Sequence, residues 1–501
     1  MSGLQKTSVL VVGAGIMGAG IAQVAAQAGH AVWLYDVRAG AAQGALDKLH
    51  ASLGALVAKG KMQADDVAGL LARITPVASL QDAARSTLVV EAILEQVEAK
   101  RALWLQLEDI VGANCVFASN TSSISITAMA QGLRHPERLV GMHFFNPVPL
   151  MKLVEVVSGL HTAPQIADYV FALAQSWGKV AVHARSTPGF IVNRIARPYY
   201  AEALALLQEQ CTRPVVLDAC LKAIGFRMGP CELMDLIGHD TNFAVTQSVY
   251  QANFFDKRYV PSLLQRELVD GGLLGRKSGR GMYDYAEGAD KPQLAAAQTV
   301  DAPTSSGVQL HGSGARMDAW AAHLTAAGVV FNHDRNSDWC GLTTSTLQLR
   351  QTDGRTASSL GANVAVFDMA FAPEGSRVLA WAPSVRASAA CATEAQAWLS
   401  ALGYWPQQVA DQSALVVART VAMLINEAAD AVQQGVCTIE GANQAMKLGV
   451  NYPAGPFDWL AAWSAQGVIA VLEALDAEYR GERYRVSPWL RQQACAALGG
   501  A

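Results

Sequence analysis

A glycine-rich turn near the N-terminus limits the possible folds more than any other part of the chain. Gly13-Ala14-Gly15-Ile16-Met17-Gly18 follows the β-branched run Val9-Leu10-Val11-Val12 and opens an Ala-rich stretch reaching about Gly29. A buried strand, a tight turn and a helix in that order form a β-α unit. Ala31-Val32-Trp33-Leu34-Tyr35-Asp36 reads as the next strand and ends on a carboxylate. A lone G-x-G-x-x-G is a weak pattern. Between a strand and a helix, with an acid about twenty residues on, it reads as a dinucleotide turn. Gly13 would make the turn, Gly15 would leave the backbone open to a pyrophosphate, and Gly18 would let helix and strand pack closely. Ile16 and Met17 share this cofactor turn. Asp36 would accept hydrogen bonds from the adenosine ribose and repel a 2′-phosphate, which favours NAD over NADP. Arg38 is the neighbour that softens this preference.

Further strands are expected at Leu88–Glu91 and Val116–Ser119, with a helix over about 95–110 and a long helical arm over 39–72. The alternation predicts an α/β, Rossmann-type, doubly wound parallel sheet over 1–186. After Arg185-Ser186-Thr187-Pro188-Gly189 the pattern becomes helical, so 187–285 is read as an all-α domain. Residues 286–306, rich in Ala, Gly, Asp, Pro, Ser, Thr and Gln, read as a linker. Strand and helix patterns return over 307–410, a degenerate Rossmann-like α/β domain. There Gly312-Ser313-Gly314 follows Val308-Gln309-Leu310, but Met317 stands at the third glycine position.

Residues 411–501 read as a second copy of the all-α domain. Arg194 through Gly229-Pro230 resembles Arg419 through Gly455-Pro456, with Cys211-Thr212 matching Cys437-Thr438, at an offset of 225 or 226 residues. A register held over that length points to duplication. In it Asn193 falls opposite Ala418, and no second histidine–glutamate arrangement precedes the later copy. One active site is therefore expected, within 1–285.

The chain has 501 residues, is 51% hydrophobic and 16% charged, and carries a net charge of −4. That balance offers no footprint for nucleic acid and no polybasic patch for a membrane, and no apolar run is long enough to span one. Glycines interrupt the apolar N-terminal stretch, so it is read as strand, turn and helix rather than an export signal. The eight cysteines are scattered, without metal-ligand spacing; no metal site is expected, and a reducing cytoplasm fits best.

The chemistry points to Gly141-Met142-His143-Phe144-Phe145-Asn146-Pro147-Val148-Pro149, with Glu155 beyond. Oxidising a secondary alcohol requires a base for the O–H proton while a hydride leaves the same carbon. An imidazole, with an ordinary pKa near ~6.5, suits that transfer. A carboxylate on its other nitrogen would fix the tautomer and stabilise the imidazolium. Glu155, flanked by Leu153-Val154 and Val156-Val157, looks half buried and therefore paired. Ser122 and Asn193 are candidates to hold the substrate oxygens; Ser122 also suits a turn and Asn193 a helix cap. Lys48, Lys59, Lys61 and Arg73 on the arm would meet phosphates, or form a solvated face.

The glycine turn, Ser119-Asn120-Thr121-Ser122-Ser123, the run through Val157, and Thr187-Pro188-Gly189-Phe190-Ile191-Val192-Asn193-Arg194 together resemble the (S)-3-hydroxyacyl-CoA dehydrogenase family. The likeness is close over 1–285 and weaker over 413–500. The two helical copies resemble the family's long bacterial form, found in phenylacetate degradation. The resemblance implies His143 as catalytic base, Glu155 as its partner, and Ser122 and Asn193 at the substrate oxygens. It places Asn146 beside the nicotinamide, puts Asp36, Glu95, Lys100 and Ser122 in the NAD site, and assigns Ser52 and Lys59 to coenzyme A. Single-copy members dimerise through the helical domain, which implies that the second copy replaces a partner subunit, with further homo-oligomerisation open.

The expected reaction is NAD-dependent oxidation of an (S)-3-hydroxyacyl-CoA to the 3-oxoacyl-CoA. 3-Hydroxyadipyl-CoA is the favoured substrate, with Arg194 or Arg197 as candidate cations for its terminal carboxylate. 3-Hydroxybutyryl-CoA or general fatty-acid β-oxidation substrates remain open. The rivals are a hydroxy-acid dehydrogenase related to L-gulonate dehydrogenase, which would need no phosphate contacts on the arm, and a nucleotide-binding protein without turnover.

Overall fold

The β-branched runs lie side by side in one sheet because each is apolar on both faces and needs cover on both. The computed structural model describes residues 7–290, 292–294, 296, 303, 307–371 and 377–499; much of the linker expected over 286–306 lies outside the described residues. The chain forms two compact units. The first comprises 1–194 with 434–450, and the second 195–433 with 451–501.

The first unit carries eight strands: β1 (Ser8–Val12), β2 (Ala31–Tyr35), β3 (Ile74–Pro76), β4 (Leu88–Glu91), β5 (Val116–Ser119), β6 (Leu139–Phe144), β7 (Leu153–Ser158) and β8 (Val180–Arg185). Their order is β3-β2-β1-β4-β5-β6-β7-β8. All neighbours are parallel except β6 and β7. The order reverses direction between β1 and β4, where a doubly wound sheet opens its binding crevice. Helices Ile16–Gln27 and Pro164–Ser176 bury Ile21, Ala22, Val24, Val170 and Leu173 in its core.

The arm expected as one helix over 39–72 is two, Ala41–Ala58 and Ala64–Leu71, interrupted near Gly60, whose φ is +67°. β3, β6, β7 and β8 were not anticipated as strands. β3 is too short to carry a period, and β6 and β7, buried on both faces along almost their whole length, lack the alternation that marks half-exposed strands.

A segment of the later helical copy belongs to this first unit. Helix Ile439–Gly449 packs on β7 and β8. A Cβ added at Gly449 would lie 2.7 Å from Leu153 and 3.0 Å from Val192. The Arg185 amide donates to the Val436 carbonyl at 2.9 Å, and Arg194 donates to Gln434 Oε1 at 2.9 Å. The reading of 411–501 as one continuous domain did not anticipate this contribution.

The second unit contains a mixed seven-stranded sheet: β9 (Val308–His311), β10 (Phe331–Asp334), β11 (Gly341–Thr343), β12 (Gln348–Gln351), β13 (Val364–Phe367), β14 (Val378–Pro383) and β15 (Trp405–Gln408), ordered β10-β9-β11-β12-β13-β14-β15. Gly312 and Gly314 keep a strand–turn–helix form ahead of helix Ala315–Ala326, but Met317 is buried in the core and Trp339 stacks on His311 at 4.2 Å. Helices Arg197–Gln208 and Val417–Gln433, corresponding members of the two copies, pack together. No single helix among the described residues is long and apolar enough to cross a membrane.

Candidate active site

Antiparallel β6 and β7 put His143 directly opposite Glu155. Opposed residues in such a pair project to the same face, so the register alone brings imidazole and carboxylate together. His143 Nδ1 lies 2.6 Å from Glu155 Oε2. Glu155 is fully buried rather than half buried as its neighbours suggested. Its other oxygen accepts the amides of Ile191 and Val192 at 3.1 and 3.0 Å. Both carboxylate oxygens are thus engaged, which offsets the cost of burying the charge. With Nδ1 committed, Nε2 is the atom left for proton exchange. The imidazole is held between Phe145 and Phe190, with ring centroids 4.5 and 5.9 Å away.

The other catalytic candidates converge on the same unit. Asn193 Nδ2 donates to the Ser122 carbonyl at 3.4 Å. Ser122 is held by Glu95 Oε1, which accepts its amide at 2.8 Å and its hydroxyl at 3.1 Å, while Thr121 Oγ1 donates to the same oxygen at 2.6 Å. Lys100 is almost wholly buried, its Nζ 2.5 Å from Glu91 and 3.2 Å from Glu95. Burial pushes the Glu95 carboxyl up, but Lys100 and the hydrogen bonds from Thr121 and Ser122 outweigh it and hold it below the usual range. In this geometry Lys100 acts on the site through Glu95.

Two positioning residues escaped the sequence reading. Asn120 Oδ1 accepts the Phe144 amide at 2.8 Å and fixes the end of β6 beside His143. Glu91 receives Lys100, Ser119 Oγ and the Ile93 amide. The available signal for Glu91 was a carboxylate closing an otherwise apolar strand.

The cofactor crevice is a cavity of about 680 Å³ lined by Gly13, Gly15, Asp36, Val37, Ile93 and Leu103 among others. A Cβ on Gly13, at φ +104°, would lie 2.4 Å from the Ala92 carbonyl oxygen, and one on Gly18 would lie 1.7 Å from the Gly13 oxygen. A Cβ on Gly15 would meet nothing within 4 Å. That open space at the N-terminus of helix Ile16–Gln27 fits a pyrophosphate. Ile16 is largely exposed there, and Met17 is partly buried. Asp36 accepts the Ala14 amide at 2.8 Å and is forked by Arg38. The Arg38 guanidinium draws its carboxyl down to about 2, so Asp36 stays ionised at any working pH. Arg38 is itself mostly exposed.

The remaining candidates are dispersed. Asn146 is exposed on the turn after β6. Ser52 and Lys59 are exposed along one side of helix Ala41–Ala58 and its cap, a stripe that includes Lys48. Lys61 is also exposed. Arg73 turns back to the Ala26 carbonyl at 3.3 Å and so has a structural use.

Sequence comparisons agree with this geometry. The pattern of the 3-hydroxyacyl-CoA dehydrogenase NAD binding domain matches residues 8–187, and that of the C-terminal domain matches 189–285 and again 415–499. The reduced Rossmann-fold domain of 3-hydroxybutyryl-CoA dehydrogenase matches 349–412. The 3-hydroxyadipyl-CoA dehydrogenase of Escherichia coli (strain K12) is 42% identical over 98% of each chain. The chain belongs to the 3-hydroxyacyl-CoA dehydrogenase family. A crystal structure of 3-hydroxybutyryl-CoA dehydrogenase from Escherichia coli K12 is 41% identical and superposes with a TM-score of 0.90 over 99% of this chain and 100% of that one. The probable 3-hydroxybutyryl-CoA dehydrogenase of Bacillus subtilis (strain 168), 42% identical, aligns over 99% of its own length but only 57% of this chain.

As a 3-hydroxyacyl-CoA dehydrogenase this is an NAD-dependent oxidoreductase acting on a CH–OH group, and the glycine turn and Asp36 are the residues suited to hold the dinucleotide. Bound NAD supplies the hydride acceptor. The later copy keeps the scaffold of the active site without its chemistry. Asp368 accepts the amides of Val416 and Val417 at 2.9 and 2.7 Å, as Glu155 does those of Ile191 and Val192 at the corresponding positions. The other Asp368 oxygen takes the amides of Met369 and Ala418, where Glu155 takes a histidine.

Proposed function

We propose that this dehydrogenase oxidises carboxylate-ended (S)-3-hydroxyacyl-CoA thioesters, 3-hydroxyadipyl-CoA foremost, to their 3-oxo forms in the cytoplasm. The observation that carries the reaction is the buried His143–Glu155 pair beside Ser122 and Asn193. Nε2 of His143 takes the hydroxyl proton, and Glu155 stabilises the resulting imidazolium. Ser122 and Asn193 donate to the developing carbonyl and the thioester oxygens. In the reverse direction His143 returns the proton. Glu95, ordered by Lys100, and Asn146 border the nicotinamide side. Ser52 and Lys59 meet the phosphates of coenzyme A.

Support for the adipyl substrate comes from the end-to-end match to the Escherichia coli 3-hydroxyadipyl-CoA dehydrogenase. The 3-hydroxybutyryl-CoA reading is kept alive by the crystal structure named for that activity. Steady-state NADH oxidation with 3-oxoadipyl-CoA and acetoacetyl-CoA decides between them: a kcat/KM at least tenfold higher for acetoacetyl-CoA refutes the adipyl reading.

The second helical copy takes the place of a dimer partner. Support lies in a reciprocal clasp. Glu427 accepts from Arg258 at 3.3 Å and Tyr259 at 2.6 Å, while Glu202 accepts from Arg483 at 2.7 Å and Tyr484 at 3.1 Å. Each copy's Arg-Tyr grips the other's glutamate, as self-complementary two-fold interfaces require. A chain cut at about residue 286 should expose the apolar face of helix Arg197–Gln208 and associate in solution. A monomer with unchanged melting would refute this role.

A further inference from the structure

The later helical copy lends one helix to the catalytic sheet. Ile439–Gly449 buries Gly441, Ala442, Ala445, Met446 and Gly449, a face made mostly of small residues, and packs on β7 and β8. Leu153 and Glu155 stand two residues apart on β7, so their side chains leave the same face of the sheet. Gly449 lies on Leu153, and Cys437, just before the helix, is near enough to Glu155 to feel its charge. Burial first, and then that carboxylate, push the Cys437 thiol up to about 12. Arg194 reaches the same segment, donating to Gln434 Oε1 at 2.9 Å. Residues 434–449 therefore cover the part of β7 that carries Glu155.

Gly449 is the point where this cover meets the supports of the catalytic pair. A Cβ there would lie 2.7 Å from Leu153 Cδ2, 3.0 Å from Val192 Cγ2 and 3.7 Å from Phe145 Cε1. Val192 gives its amide to Glu155 at 3.0 Å and precedes Asn193 in the short helix Val192–Ile195. Phe145 lies against the His143 imidazole, with 4.5 Å between ring centroids. Carbon–carbon contacts settle near ~3.5–4.0 Å, so one added methyl must displace its neighbours by about 1 Å. Leu153 can swing its tip. Val192 is β-branched and nearly fixed at χ1 in a helix, so pressure on its side chain passes to its backbone.

The duplication supplies a comparison. At the 226-residue offset that pairs Cys211 with Cys437, Gly449 falls opposite Ala223, the last residue of helix Pro214–Ala223, which packs on β14. Ala223 borders a cavity of about 560 Å³ together with Trp320 and Tyr404. The sheet without catalytic residues leaves room for a methyl at this point, and the catalytic sheet does not. Glycine is a weaker helix former than alanine, so close approach is what glycine gains at 449.

We propose that Gly449 is a positioning residue of the active site, through which the later helical copy holds Val192 and Phe145, and with them the Glu155–His143 pair, in working geometry. This role is separate from the clasp between the two copies. The inference rests on the reading of His143 as the base and adds the wall that supports it. Single-turnover and steady-state NADH oxidation with acetoacetyl-CoA test it in the full-length protein. Gly449→Ala should lower kcat by roughly 10- to 10²-fold, the weight of a displacement near 1 Å, with KM for both substrates within about threefold of wild type. Leu153→Val removes the carbon nearest the added Cβ. Gly449→Ala/Leu153→Val should therefore regain most of the lost kcat, measured against Leu153→Val alone. Gln444→Ala, on the same helix, where Gln444 bonds Glu440 at 3.0 Å, should leave kcat unchanged.

A Gly449→Ala enzyme within about twofold of wild-type kcat overturns the proposal. So does a loss that Leu153→Val fails to restore, which would make Gly449 a residue of general packing. Glu155→Gln, run in parallel, keeps the wall apart from the pair. If Glu155→Gln is impaired and Gly449→Ala is not, the pair stands and the inference fails. A fully active Glu155→Gln would remove the pair from the mechanism and the inference with it.

Discussion

Glu155→Gln tests the active site sharply, because a carboxylate can do there what an amide cannot. Both Glu155 oxygens accept: one from His143 Nδ1, the other from the Ile191 and Val192 amides. A glutamine has one accepting oxygen. If it faces the two amides, its NH₂ points at Nδ1 and forces the proton to Nε2, the tautomer that cannot take a proton from an alcohol. Restoring the productive tautomer turns the NH₂ toward two amide donors and leaves both buried and unpaired. At about 1–3 kcal/mol each, that penalty is roughly 2–6 kcal/mol. This converts to a loss of roughly 30- to 10⁴-fold in kcat, in line with the wrong-tautomer effect known for catalytic triads. Rapid-mixing and steady-state NADH production, with melting followed alongside, should show kcat falling by that factor, KM within a few-fold, and NADH binding intact. A Glu155→Gln enzyme within threefold of wild-type kcat, with an unchanged pH profile, would refute the tautomer argument.

Other outcomes follow from the same geometry. Gly15→Val should melt like wild type, since the added atoms enter open space, yet lose NADH binding by fluorescence titration; Gly18→Ala should instead destabilise the fold, because its Cβ would lie 1.7 Å from the Gly13 oxygen. Asp36→Ser should raise KM for NAD by about 10- to 100-fold, the weight of charged hydrogen bonds, and admit NADP; unchanged cofactor preference would remove Asp36 from ribose recognition. Glu202→Gln should cost about 3–5 kcal/mol in denaturant unfolding, because Arg419 and Arg483 lose their shared partner. Burial raises the Glu202 carboxyl, but Arg483 and Arg419 outweigh it and hold it below the ordinary glutamate value. Its contribution is therefore complete above about pH 4.3 and is lost as pH falls through the folded-state value, so wild type should lose stability below that pH more steeply than Glu202→Gln.

Local chemistry was readable from the chain. The β-branched runs, the glycine turn and the acid just after β2 define a dinucleotide crevice because each of those requirements acts over a few residues. His143, Glu155, Ser122 and Asn193 could be named from the motifs that surround them. The helical duplication was visible as a fixed offset. The strands around His143 were harder to see, since residues buried on both faces lose the period that reveals a strand.

Which groups meet was decided only by the tertiary structure. The sequence could offer Glu155 as a partner for His143; the antiparallel register of β6 and β7 is what sets them opposite each other, 2.6 Å apart. The recruitment of 434–450 to the catalytic unit and the exchange of Arg-Tyr grips between Glu202 and Glu427 join residues far apart in sequence. The sequence by itself determined the kinds of chemistry available and the scaffold repeated to hold them. Folding decided which charges were buried together, because a carboxylate or guanidinium survives burial only beside partners that distant segments bring to it.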